Sequence, residues 1–145
     1  MKITRSAPGT DASGFTLLEL LVVLVILSLL IGLVGPQVLK YVGESKTKTA
    51  RIQIEDIGAA LDLYHLEIGS YPSTEQGLQA LVAKPPGVDA WKGPYLKKQV
   101  VPKDPWGRDY HYRSPGEHGH YDLYSLGADN VEGGTDENED VVSWQ

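Results

Sequence analysis

Glu19 is the residue whose surroundings most demand an explanation. It is a carboxylate followed by fifteen uncharged, mostly apolar residues, LLVVLVILSLLIGLV. An ionisable group at membrane depth costs about 2 to 3 kcal/mol or more near the bilayer centre and less near an end, so such groups tend to find a partner. The apolar run contains no base. Two readings stay open on physical grounds. A cut between Gly14 and Phe15 would create an amino group one helical turn before Glu19, and a neighbouring copy would offer the same amine across a packed helix interface. Alternatively, the carboxylate is hydrated at the membrane boundary, its charge favoured by the helix N-terminus.

A second cluster lies near the other end. Residues 114–145 contain no Lys or Arg, against Glu117, Asp122, Asp129, Glu132, Asp136, Glu137, Glu139 and Asp140. These eight acids carry -8, so residues 1–113 carry +2 and the chain -6. Such a tail repels phosphate, which argues against nucleic-acid binding. Gly133 and Gly134 separate Asp129 from Asp136 and can turn the chain so that carboxylates and carbonyls converge on a calcium-sized ion. The spacing is not that of an EF-hand, and taken alone it favours a solvated acidic loop. His118-Gly119-His120 is read as a solvent-exposed pair in a loop rather than a metal site. There is no phosphate-binding G-x-x-x-x-G-K-[ST] and no G-x-S-x-G elbow, and no enzyme is read here. The chain has no cysteine, which removes disulfides, thiol catalysis and cysteine-zinc sites together.

The elements that must position these residues follow from periodicity. Residues 1–14 are polar and small, with Lys2 and Arg5 as bases and Pro8 and Gly9 as helix breakers, and read as a leader. The 21 residues 15–35 form a helix of roughly 31 Å, enough to cross a bilayer core. The block is too long for a cleaved secretory signal and lacks the small-residue site after it. A buried core helix is disfavoured because the remaining chain can hardly surround a helix apolar on every side. Ile54, Ile57, Leu61, Tyr64 and Ile68 then recur at steps of 3, 4, 3 and 4, so residues 36–68 continue the helix with an amphipathic face to a stop near Gly69. Pro36, lacking a donor, predicts a kink or a locally melted turn. Downstream, residues 69–145 make one small domain. Ser73 and Gln76 have capping-box spacing before a short helix through Leu78, Leu81 and Val82. Tyr110 and Tyr112, then Tyr121 and Leu123, alternate around a loop as a hairpin, and residues 141–144 add an edge strand or an irregular tail. Residues 91–105 carry many turn formers and no assignable element.

With these residues in place, Gly14-Phe15-Thr16-Leu17-Leu18-Glu19-Leu20, the apolar run and Pro36 resemble the N-terminus of type IV pilins and pseudopilins. Tyr71 through Leu78 (YPSTEQGL), Trp91 through Leu96 (WKGPYL), PKDPWG at 102–107 and YSLGAD at 124–129 are similar to the major pseudopilins of type II secretion. Pilus subunits commonly carry a C-terminal cysteine pair, which is missing here. The resemblance implies an α+β pilin-like fold: a long N-terminal helix packed on a small domain with a short helix, a small antiparallel sheet and a calcium loop. It implies cleavage after Gly14 by a prepilin peptidase, methylation of Phe15, and a role for Glu19 in recruiting or neutralising a neighbouring N-terminus. It implies calcium held by Asp129 and Asp136, with backbone oxygen from Leu126 and Val131. The implied partners are further copies in a homopolymer, minor pseudopilins, an inner-membrane assembly platform and, indirectly, a secretin and exported proteins. The domain would lie in the periplasm; charge counting does not choose this orientation, since Lys2 and Arg5 precede the apolar run while Lys40, Lys46, Lys48 and Arg51 follow it. Two rivals are a type IV pilus subunit and a static anchor carrying a cation-binding module.

Overall fold

In the computed structural model the described residues are 13–145, so Lys2, Arg5 and nearly all of the expected leader lie outside them. Helix α1 spans Leu17–Ile68, 52 residues with Pro36 inside. The melted turn expected at Pro36 is absent. A proline removes one donor from the ladder, and the i→i−4 bonds before and after it hold the flanking residues helical. The helix stops where a glycine can take the left-handed conformation: Gly69 has φ +92 and its N–H donates to the His65 carbonyl at 2.8 Å.

The chain divides into two compact units, residues 1–38 and 39–145. In the first, the only described element is the start of α1, and every large apolar side chain from Leu17 to Val34 is at least 48% exposed. The second has a core. Ile54, Ile57, Leu61 and Tyr64, the stripe read from the sequence, are buried against Leu78, Leu81, Tyr110, Leu123 and Val141, with Ile68 partly buried beside them. The capping box forms reciprocally: the Ser73 N–H donates to Gln76 Oε1 at 2.9 Å and the Gln76 N–H to Ser73 Oγ at 3.3 Å. It opens a turn that leads into a 3-10 helix, Leu78–Leu81, rather than an α-helix.

Strands β1 (His111–Arg113), β2 (Asp122–Ser125) and β3 (Val141–Val142) form one antiparallel sheet in that order. Tyr112 pairs with Leu123 and Ser125 with Val141, so the hairpin and the edge-strand reading of the tail both hold, the strand ending at Val142. Residues 91–105 remain irregular yet pack by their side chains: Trp91 donates its indole N–H to the Ala80 carbonyl at 2.8 Å, and Tyr95 stacks edge-on against Tyr64.

Candidate functional site

The N-terminal candidates are organised by three hydrogen bonds. The Thr16 N–H and hydroxyl both donate to Glu19 Oε2, at 2.8 and 3.1 Å, and the Glu19 N–H donates back to Thr16 Oγ at 3.1 Å. This is a reciprocal cap on α1, two otherwise orphaned donors satisfied by one carboxylate and one hydroxyl. The T-x-x-E spacing that produces it stands in the sequence at residues 16–19 and went unread as a cap there. Glu19 therefore sits in the first turn, where the helix dipole also favours its charge. Gly14 and Phe15 precede the helix and belong to no helix or strand, and Phe15 is 94% exposed. Farther along, the Ser28 hydroxyl donates to the Leu24 carbonyl at 2.8 Å, so the one hydroxyl inside the apolar run makes no demand on its surroundings. Among the described residues α1 is the one helix long and apolar enough to cross a membrane, and its apolar window buries nothing within the protein.

The acidic loop is built on a brace that the sequence reading missed. Asp104, in the PKDPWG segment, is buried. Its Oδ1 accepts the Trp106 and Arg108 N–H groups at 3.1 and 2.8 Å, and its Oδ2 accepts the Ser125 hydroxyl at 2.6 Å. The turn so formed aims Arg108, whose guanidinium donates to the carbonyls of Gly127 and Ala128, the latter at 3.1 Å. An Asp followed three residues later by Gly is a turn signature and was the available signal. At the loop's far side the Ala128 N–H donates to the Glu137 carbonyl at 2.8 Å. A side chain cannot replace Gly127: φ is +65, and a Cβ there would meet the Glu139 carbonyl oxygen at 2.8 Å. Buried Gly43 of α1 faces Glu137, so the loop rests closely on the helix.

Within the loop, Asp129 Oδ1 accepts the Val131 N–H at 3.1 Å and Asp140 Oδ2 accepts the Gly133 N–H at 2.9 Å. Asp136 opens a 3-10 helix, Asp136–Asn138, with φ +56, uncommon for a residue other than glycine. Asp129 and Asp136 are exposed and Leu126 is half-buried. No group of three or more metal-ligating side chains is gathered among the described residues, so a cation shell here would need backbone oxygens as well. One observation fits a cation: Asp140 Oδ1 is buried and has no hydrogen-bond donor. A buried carboxylate oxygen without a donor is costly, and a hard ion would satisfy it.

The two histidines of the hairpin loop go separate ways. His118 stacks on Trp144 with centroids 4.0 Å apart and places Nδ1 3.3 Å from Asp122, while His120 lies against Tyr71. Asp122 is a second missed residue. Strand alternation turns it outward, yet it is buried because the loop folds back to donate the Glu117 and His118 N–H groups to it at 2.9 and 3.1 Å. Burial alone would raise its pKa; those donors and the His118 ring outweigh burial and hold it below the ordinary value. Tyr112, by contrast, is pushed up to about 12 by burial.

Comparison with known proteins places this geometry. The family described as type II secretion system (T2SS), protein G, matches residues 37–144, and the prokaryotic N-terminal methylation motif matches residues 10–35. The type II secretion system core protein G of Pseudomonas aeruginosa is 52% identical over 136 residues, covering 91% of this chain and 94% of that protein. Its counterpart in Vibrio cholerae is 44% identical over 135 residues, 91% of each chain. The crystal structure of the major pseudopilin from the type 2 secretion system of enterohaemorrhagic Escherichia coli is similar with a TM-score of 0.58 at 34% identity, covering 69% of this chain and 87% of that one.

Proposed function

The chain belongs to the type II secretion system protein G family and is a major pseudopilin, and from that premise we propose how it is processed, anchored and assembled. A prepilin peptidase cuts between Gly14 and Phe15 and the new amine is methylated. The chain is held in the inner membrane by residues 15–35 with residues 69–145 in the periplasm. Copies then leave the bilayer as a homopolymer, assembled on an inner-membrane platform together with minor pseudopilins, that moves folded proteins through a secretin. The exposed apolar surface of residues 17–34 supports this reading: it must be covered by lipid before assembly and by other helices after it.

The observation that carries the proposal is the position of the Glu19 carboxylate. In the uncut chain it accepts two donors of Thr16, the residue after Phe15. Cleavage places a cationic amine on Phe15, within a turn of the same carboxylate, and a second copy presents the same amine from outside. Charge-assisted pairing of that kind is stronger in an apolar interface than in water. Glu19→Ala and Glu19→Gln variants are expected to be cleaved, as read by the N-terminal mass, yet to lose filaments and export. Normal filaments and export from both would overturn the assembly role.

For the acidic loop we propose calcium, held by Asp129 and Asp136 with backbone oxygen from Leu126 and Val131, and we add Asp140 for its donor-less buried oxygen. The ion would supply the positive charge that lets these carboxylates crowd. The chain's own contribution is the brace: Asp104 fixes the turn, Arg108 holds the Gly127 and Ala128 carbonyls, and Gly127 lets the strands of the loop approach.

A further inference from the structure

The charges on α1 are sorted by sign after residue 39. Lys40, Lys46, Lys48 and Arg51 stand with Glu44 alone, and from residue 52 to the helix end come Glu55, Asp56, Asp62 and Glu67 with no Lys or Arg. Lys40 to Asp62 lie inside the helix, away from the end turns where the helix dipole acts, so this order does not serve the helix ends. Nor is it used within the chain: none of the ion pairs among the described residues involves α1. Asp62 and Glu67 accept only neutral hydroxyls, from Tyr71 at 2.9 Å and Tyr95 at 2.8 Å.

Geometry gathers part of this charge on one face. Lys48, Arg51, Glu55 and Asp62 follow at steps of 3, 4 and 7, all exposed, on the side away from the buried stripe. Ile52, Ala59, Leu63 and Leu66 run alongside them at steps of 7, 4 and 3, also exposed. A groove of about 410 Å³ borders the charged stripe, lined by Arg51, Glu55, Gly58 and Asp62 and, across from them, Tyr121 and Gln145. The small side of Gly58 leaves it open.

The occupant whose chemistry fits a basic segment followed by an acidic one beside apolar residues is another copy of this chain, shifted along its axis. Parallel copies in register set like charges opposite each other. A shift of eleven residues, about 16 Å along the axis, brings Arg51 to Asp62 and sets Lys48 against Ala59, between Glu55 and Asp62. We infer that Lys48 and Arg51 of one copy dock on the Glu55 and Asp62 stripe of the next. A staggered contact is heterologous and propagates instead of closing, which is what a filament requires. The inference rests on the polymer reading and adds to it the surface and the stagger.

The test uses the full chain in membranes together with its secretion machinery. Reversing either block, as Lys48→Glu with Arg51→Glu or as Glu55→Lys with Asp62→Lys, is expected to lower filament yield about tenfold or more, because like charges then face each other. Combining the four reversals should restore it. Because the chain has no cysteine, an Arg51→Cys, Asp62→Cys variant gives a second readout independent of charge: oxidation of its filaments is expected to give a ladder of linked multimers. Filaments without a ladder, or block reversals that leave the yield unchanged, overturn the inference and leave the polymer reading standing. Absence of filaments from the unaltered chain overturns both.

Discussion

Two stretches of one helix obey different solvent rules. Residues 17–34 satisfy their polar atoms within a few residues of themselves, through the backbone ladder, the Thr16 and Glu19 cap and the Ser28 bond to Leu24, and bury none of their apolar side chains in the chain. Residues 50–64 keep charge on one side and sink Ala50, Ile54, Ile57, Leu61 and Tyr64 into a core. The first pattern suits a medium that supplies no hydrogen bonds and changes from lipid to protein. The second is the amphipathic solution for water, where stability comes from apolar burial. Helix formation is common to both; what they must be covered by is not.

The contrast can be broken most sharply at Leu61. Leu61→Ala removes a fully buried side chain and should destabilise the domain by about 2 to 5 kcal/mol. Leu24→Ala should leave the domain's melting unchanged and act only on filament yield. Thermal unfolding of both variants in detergent checks this, and equal losses of melting temperature would erase the distinction.

The acidic loop sharpens the comparison within the second unit, since it is ordered by polar atoms instead of a core. Calcium at about 100 times its dissociation constant would add about 2.7 kcal/mol. The full chain should therefore melt at lower temperature in chelator, and Asp140→Ala should shrink the difference. An unchanged melting temperature in chelator would remove the ion from the account.

The smallest expected effect is acid sensitivity at Asp122. Its folded pKa lies below the ordinary 3.8, so its contribution is fully present above that value and is lost as the pH falls through the lower folded value. Asp122→Asn should cost about 1 kcal/mol at neutral pH and flatten the loss of stability below pH 4. A variant with the same acid limb as the parent would show that other carboxylates set it.

Much of this molecule was legible because the relevant physics is local. The apolar run, the steps of 3 and 4 from Ile54 to Ile68, the glycine stop, the Ser73 and Gln76 box and the hairpin of Tyr110, Tyr112, Tyr121 and Leu123 all depend on residues near one another or on a fixed period. The pilin-like fold followed from them and from the resemblance. Thr16 was legible in principle, by its three-residue distance from Glu19. The misread parts depend on contacts that no fixed period supplies. Asp104 meets Ser125 and Arg108 meets Gly127 across about twenty residues, Asp122 is buried by a loop that folds back, and one oxygen of half-buried Asp140 is left dry in the folded loop. Periodicity describes which face of an element is apolar, and so it located the helix, its two regimes and the hairpin. Which polar groups end up dry, and what then must satisfy them, depends on desolvation by distant segments, and that was decided only when the tertiary structure formed.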